Sequence, residues 1–499
     1  MSPPSSSPCC LLLLFPVEVR RKKMKKVKTP FLCDLRNQNS SLSRTFVRRR
    51  YGGEQQFFFR EQCLTITASM GKKRILDVYR APFPLYSVKV DPKKGLVVTA
   101  GGGGASKTGI KNALLFLDVQ LVGAHQYSAS LLHSHDTTTR ATMNMAVADG
   151  VIAAGQDGTC CVMKTQFSKQ NQGSKAAANA KSEQQGEVRR RAGKGERSGE
   201  DGAAAPEEGS HMKDESVHLS VSTLAELQSD LNPQDPLQKV VRFSPDMSLL
   251  LTGGTDGHVR VWEFPSLKKK FDFKAHDGEI EDLDMSPGNK HLVTVARGFS
   301  CSIWVGNQWA LGLKWTETKP EIPDKTYRYL ACRFGKVEDQ KDALRLYTVQ
   351  IPHKRDRKHP PCYITKWDGK SFLPMLTAPC GTEVISTLAV SDSGTFLGLG
   401  TVTGSVAIYI TFSLQRLYYV KESHGIVVTD LAFLPDSLNG RNLRGDNETA
   451  MLSVAVDSRC QVHAVPNASW FPVWLVLVLC GLMVVGVILL LQHLFPGFF

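Results

Sequence analysis

From Ile75 to about residue 465 the chain repeats one unit: short alternating apolar runs divided by turn residues, recurring roughly every 40–50 residues. One copy is legible by itself. Residues 240–246 read as a strand and turn, 249–254 as a second strand, Thr255-Asp256-Gly257 as a tight turn, 259–262 as a third strand, and a fourth ends at Lys274-Ala275-His276. This is a WD-type repeat, with Glu263 where an Asp usually follows the Trp. Further copies start at Val88, Met143, Leu283, Tyr329, Leu388 and Thr429, which makes seven. The fold class implied is all-β, a seven-bladed WD-repeat propeller over residues 70–465. An unpaired edge strand invites aggregation, so residues 75–79 are expected to pair with the last blade and close the ring. His135, His276 and His424 each close a unit, where a buried histidine bonding the next blade is the expected role rather than a catalytic base.

One connection does not fit a plain meander. Between the strand at 96–100 and the strand at 113–120 the chain runs Gly101, Gly102, Gly103, Gly104, Ala105, Ser106, Lys107, Thr108, Gly109, Ile110, Lys111, Asn112. Loops of this length between neighbouring strands are usually functional or disordered. Consecutive glycines allow positive φ and close approach, so their backbone groups can converge on an ion or a phosphate. The phosphate-binding pattern G-x-x-x-x-G-K-[ST] is a near miss, because Ser106 stands where its second glycine belongs. A strand also follows Asn112 where that motif needs a helix N-terminus, which argues against an NTPase.

The net charge of +14 would suggest a nucleic-acid partner if it were spread over the body. It is not. Residues 1–69 hold 13 Lys/Arg against 4 Asp/Glu, or +9, which leaves +5 for everything else. That region has no coherent period and is expected to be disordered. The twelve cysteines form no C-x-x-C, so neither a zinc site nor a disulfide framework is expected, and reduced thiols are. Residues 169–214 are polar with nearly cancelling charge, and are expected to form a disordered insertion in the second blade. The basic stretch His353 to His359 is expected to be a solvated loop.

Residues 473–491 carry no charge over 19 positions, about 28 Å as a helix and enough to cross a bilayer. Trp470 and Trp474 stand at the near boundary, where aromatic residues favour the interface. A transmembrane helix at 470–491 with a short lumenal tail at 492–499 is expected, the propeller facing the cytosol.

Residues 79–86 (YRAPFPLY), 101–112, 235–241 (DPLQKVV) and 398–410 (GLGTVTGSVAIYI) resemble the endoplasmic-reticulum exchange factors for the Sar-type small GTPase. The resemblance runs from Met70 to Phe499. It implies a propeller that exchanges GDP for GTP on the GTPase that starts COPII coat assembly, at the endoplasmic reticulum membrane, with the nucleus as a secondary location. It also implies that the glycine-rich loop binds a potassium ion, through candidates Gly101, Gly102, Gly103, Gly104 and Asn112. The same loop is implied to meet the GTPase through Gly109, Ile110 and Asn112. A ring of neutral carbonyl oxygens suits K⁺, and exchange needs no covalent step, so the chain is not expected to be an enzyme in that sense. Two alternatives stay open: a membrane-tethered scaffold without exchange activity, and a promoter-element-binding regulator. DNA binding as the main role is disfavoured, since no helix-turn-helix, zinc-finger or basic-zipper pattern is visible.

Overall fold

Two residue patterns decide which strand goes where. Runs such as Leu249–Gly254, Val151–Gln156 and Phe396–Thr401 are almost wholly buried, as strands covered on both faces must be. Runs such as Lys269–Lys274 alternate exposed and half-buried positions, which suits the outer edge of a sheet. The computed structural model describes residues 75–105, 109–123, 126–169, 217–338, 340–354, 359–467 and 473–494. In it the strands form seven antiparallel sheets of four.

β1 (Asp77–Arg80) comes first in the chain but belongs to the last blade. Blade 1 is β2 (Leu85–Val90), β3 (Val97–Gly101), β4 (Ala113–Val122) and β5 (Gln126–Asp136). Blade 2 is β6 (Thr142–Ala148), β7 (Val151–Gln156), β8 (Thr159–Lys169) and β9 (Val217–Gln228). Blade 3 is β10 (Gln238–Phe243), β11 (Leu249–Gly254), β12 (His258–Glu263) and β13 (Lys269–Lys274). Blade 4 is β14 (Ile280–Met285), β15 (Leu292–Ala296), β16 (Cys301–Val305) and β17 (Gln308–Gly312). Blade 5 is β18 (Tyr327–Val337), β19 (Gln340–Pro352), β20 (Cys362–Asp368) and β21 (Pro374–Gly381). Blade 6 is β22 (Ile385–Val390), β23 (Phe396–Thr401), β24 (Val406–Ile410) and β25 (Arg416–Val420). Blade 7 holds β26 (Val428–Phe433), the helix α1 (Leu438–Arg444), β27 (Asn447–Ala455) and β28 (Arg459–Pro466). The apolar helix α2 (Val473–Leu494) follows.

The ring closes through β1, which pairs with β28 as Asp77↔Gln461, Tyr79↔Cys460 and Arg80↔Arg459. Behind this seam Leu85, Val88, Leu115 and Leu117 of blade 1 share one core with Leu452, Val454 and Cys460 of blade 7. Each such fully buried aliphatic side chain contributes about 1.5–3 kcal/mol. Every connection within a blade reverses the chain. First-to-second and third-to-fourth strand turns therefore lie on one face of the ring, and second-to-third connections on the other.

Three expectations shift. Lys169 still pairs with Val217 at the end of β8, so the blade-2 insertion begins after it; residues 170–214 and 1–69 lie outside the described residues. The C-terminal helix runs to Leu494, three residues into the expected tail, because Gln492 and His493 can continue a helix without apolar burial. His135 is only partly buried on the outer strand β5, opposite Leu114. The other two histidines bond the next blade as expected, His424 buried and His276 half-buried. His276 Nε2 lies 2.8 Å from Thr294 Oγ1 in blade 4, which also accepts from Trp304 Nε1 at 2.8 Å. His424, 1% exposed, bonds Ser453 Oγ of blade 7 at 2.7 Å.

Candidate functional site

The glycine-rich connection joins β3 to β4 and is the second-to-third connection of blade 1. Its burial is graded: Gly101, Gly102 and Asn112 are buried, Gly103 and Gly104 half-buried, Gly109, Ile110 and Lys111 exposed. Ser106, Lys107 and Thr108 lie outside the described residues. The base is tied to the blade. The Gly102 N–H donates to Pro84 O at 3.0 Å, and the Tyr86 hydroxyl donates to Gly102 O at 3.0 Å. Burial pushes the Tyr86 pKa up, which keeps that proton in place. A side chain at Gly102 is excluded, since its Cβ would lie 2.1 Å from Asn112 Oδ1.

Asn112 closes the loop. Its Oδ1 accepts the Gly104 N–H at 2.8 Å, and its Nδ2 donates to Gly104 O at 3.1 Å and to Thr138 O at 2.9 Å. Its backbone oxygen accepts from Thr137 N at 3.0 Å, and the residue is 2% exposed. Direct contact with a partner is the expectation for Asn112; in the free chain its side chain is held inside the loop base. A primary amide satisfies its buried donors best by pairing with backbone groups, so the side chain turns inward and both N–H donors are used. The exposed tip is Gly109-Ile110, with Ile110 41% exposed.

The oxygens here fit a monovalent cation by type. They are neutral carbonyls and one amide oxygen, without a carboxylate. Gly102 O, Gly104 O and Asn112 Oδ1 each carry one described hydrogen bond at an atom with two lone pairs. Among the described residues, no group of three or more His, Cys, Asp or Glu side chains could hold a metal ion.

A second concave region lies where the innermost strands meet. A cavity of about 1260 Å³ is lined by Lys89, Arg242, Asp284, Arg333, Asp392 and Asp430, among others. Asp430 bonds Lys89, and accepts from Ser87 Oγ at 2.7 Å and Val88 N at 3.0 Å. Asp282 bonds Arg333 and lies 3.6 Å from Arg242. Burial works to raise the Asp430 pKa, but the Lys89 ammonium and the hydrogen bonds hold it below the usual carboxylate range. Burial pushes Asp284 up, against the pull of Arg333 and Arg242. These ion pairs tie blade 1 to blade 7, and separately blades 3, 4 and 5 to one another, around the channel; nothing in the residue pattern signals them. Cys160, Cys301 and Cys460 are buried free thiols, Cys160 and Cys460 pushed up to about 12 by burial. Of the basic loop at 353–359, His353 packs against Phe299 at 4.9 Å between ring centroids, and residues 355–358 lie outside the described residues.

The WD domain, G-beta repeat family matches residues 235–263 and 267–305, which cover blade 3 and the first three strands of blade 4. The chain is similar to the guanine nucleotide-exchange factor SEC12 of Mus musculus, 56% identical over 429 residues, 86% of this chain and 100% of the relative. It is 55% identical over 432 residues to that of Rattus norvegicus, with the same coverage of each. SEC12-like protein 2 of Arabidopsis thaliana is 27% identical over 240 residues, 47% of this chain and 54% of the relative.

Proposed function

The chain belongs to the SEC12 family of guanine nucleotide-exchange factors, and on that premise we propose that its glycine-rich loop is the element that drives exchange on a Sar-type small GTPase. The observation that carries this reading is the Asn112-clamped base with the Gly109-Ile110 tip standing out from it. A rigid blade with a tied loop base offers an apolar side chain at little ordering cost.

Exchange follows by linkage. A partner that binds the empty GTPase more tightly than the loaded one must weaken nucleotide affinity by the same factor. Ile110 supplies apolar contact that only the nucleotide-free arrangement accommodates, Gly109 gives the backbone freedom to present it, and Asn112 positions the base. Gly101, Gly102, Gly103, Gly104 and Asn112 would supply oxygens to a potassium ion, which when bound would order the loop backbone. We place the chain at the endoplasmic reticulum membrane, anchored through α2 with the propeller on the cytosolic side, and its product at the start of COPII coat assembly. The apolar composition of Leu477–Leu494, with mean hydropathy 2.5, supports the anchor.

The test is release of a fluorescent GDP analogue from the Sar-type GTPase. Wild-type protein should accelerate release, and more in K⁺ than in Li⁺. Ile110→Ala should lose most of the acceleration while keeping the melting temperature. Full acceleration by folded Ile110→Ala protein would remove the loop from the mechanism.

A further inference from the structure

We infer that the face of the propeller opposite the glycine-rich loop is a lipid-contact surface, seated on the bilayer in which α2 is anchored. The inference rests on reading α2 as a membrane span, and it adds which face meets the lipid and through which residues.

Topology fixes the face from which the anchor leaves. β28 runs from the turn at Asp457-Ser458 to Pro466, antiparallel to β27, so that Pro466 pairs with Asn447. Asn447 follows α1, which lies in the first-to-second strand connection of blade 7. Pro466 therefore lies on the face of first-to-second turns, whereas the glycine-rich loop is a second-to-third connection on the other face. Only six residues separate Pro466 from Val473, so the two ends are at most about 25 Å apart even fully extended. The propeller cannot stand far from the membrane.

The same face carries large apolar side chains at its turns, on the four consecutive blades that lead to the anchor. Val305 (51% exposed) ends β16, Leu373 (62%) precedes β21, Phe412 (84%) sits between β24 and β25, and Leu438 (68%) opens α1. Among the described residues these side chains, one to a turn, stay more than half exposed, Phe412 even with the Lys366 ammonium 5.7 Å from its ring centroid. Dipped into the headgroup region they lose water contact, as interfacial apolar residues do. The charges on these blades' turns are mixed, exposed Lys370 and Arg441 standing with exposed Asp436 and Asp446, so contact is expected with zwitterionic lipid.

The geometry has a functional corollary. The glycine-rich loop is carried to the far side of the ring, about 20 Å further from the lipid for strands of five or six residues. A GTPase docked there would be unloaded and reloaded away from the bilayer, leaving any membrane-seeking segment of its own unencumbered.

The test uses the full chain in phosphatidylcholine nanodiscs, with a fluorescent non-natural amino acid replacing Phe412, Leu438 or Ile110 in turn. Headgroup spin-labelled phosphatidylcholine is the quencher. Quenching at positions 412 and 438 should exceed that at 110 at least about threefold, given the difference in height across the strands. Equal quenching at 412 and 110 would overturn the orientation. Inserting a flexible linker of about 30 residues after Pro466 separates seating from tethering. Quenching at 412 should survive the insertion, and a Leu373→Ser/Leu438→Ser variant of that form should lose it. Loss of quenching on linker insertion alone would overturn direct lipid contact. A chain that never enters nanodiscs would instead overturn the anchor reading beneath it.

Discussion

Blades 1 and 3 build the same connection in opposite ways. In blade 3 the strands β11 and β12 are joined by Thr255-Asp256-Gly257, and nearly every polar group of that turn is used. Asp230, fully buried, accepts from Thr255 N at 2.9 Å, from Leu237 N at 2.7 Å and from Asp256 N at 3.2 Å. Arg260, 1% exposed, bonds Asp256 at 2.7 Å and Ser229 O at 2.8 Å. In blade 1 the buried amide of Asn112 closes the loop above the Gly102 ties, and Gly109, Ile110 and Lys111 are left exposed. Each connection is fixed at its base. They differ in how much chain is sent past the fixed point, and that surplus is what a partner can bind.

The largest effect should come from breaking the blade-3 clamp. Arg260→Ala leaves Asp256 and the Ser229 carbonyl without their buried partner, a loss of about 3–5 kcal/mol. Thermal unfolding should fall clearly, while exchange per folded molecule stays unchanged, because the clamp lies in another blade. A loss of exchange in the folded fraction would mean that the two connections are coupled.

At the blade-1 tip the pattern should invert. Ile110→Ala removes apolar contact worth about 2–3 kcal/mol if buried in the partner, on the order of a hundredfold in rate, with melting unchanged. Asn112→Ala should do both things at once. It strands the Gly104 and Thr138 groups, costs about 1–3 kcal/mol of stability, and lowers exchange because the tip loses its base. If Asn112→Ala melted normally and still lost exchange, the amide would have to touch the partner after all.

Two glycines with one backbone angle make a sharper test. Gly257 and Gly109 both have φ near +75°, but a Cβ at Gly257 would lie 2.2 Å from His276 O, whereas none of the described atoms lies within 4 Å of one at Gly109. Gly257→Ala should therefore cost strain plus displacement of backbone, and Gly109→Ala only about 1–2 kcal/mol of strain. Differential scanning calorimetry would rank them, and equal losses would show that the surroundings of the blade-3 turn yield more easily than their packing suggests.

The smallest expected effect, at about pH 6, is a titration. Burial lowers the His276 pKa to about 4, while the unfolded chain titrates near 6.5. A depressed folded value means stability is full above about 6.5 and declines as pH falls toward 4, since the unfolded state takes up the proton first. His276→Gln should flatten that slope. The described residues of the glycine-rich loop contain no His, Asp or Glu, so exchange by the folded fraction should not follow the same curve.

Blade number and ring closure could be read from sequence because both rest on local pattern. A strand buried on two faces is apolar throughout, an outer strand alternates, and residues 75–79 had no other partner. The loop was legible as an anomaly of length and glycine content. Its clamp was not, since one Asn before a strand looks like any turn residue until Gly104 and Thr138 come beside it. The channel network was hidden for a related reason. Lys89, Arg242, Asp282, Arg333 and Asp430 each sit in an alternating strand that reads as half-exposed to water, and only closure of the ring turns those positions toward one another.

The place of β28 in its sheet bears on how the molecule withstands force. In the order β1-β28-β27-β26 it is an interior strand, and α2 hangs from its end. Tension applied to α2 enters along the axis of a strand laced on both sides. The ladders to β1 and β27 are then loaded in shear, many bonds together, instead of being unzipped one at a time from an edge. A short closing strand that looks like a weak latch thus acts as the second rail of a guarded attachment, and the domain can be pulled on without the ring being opened.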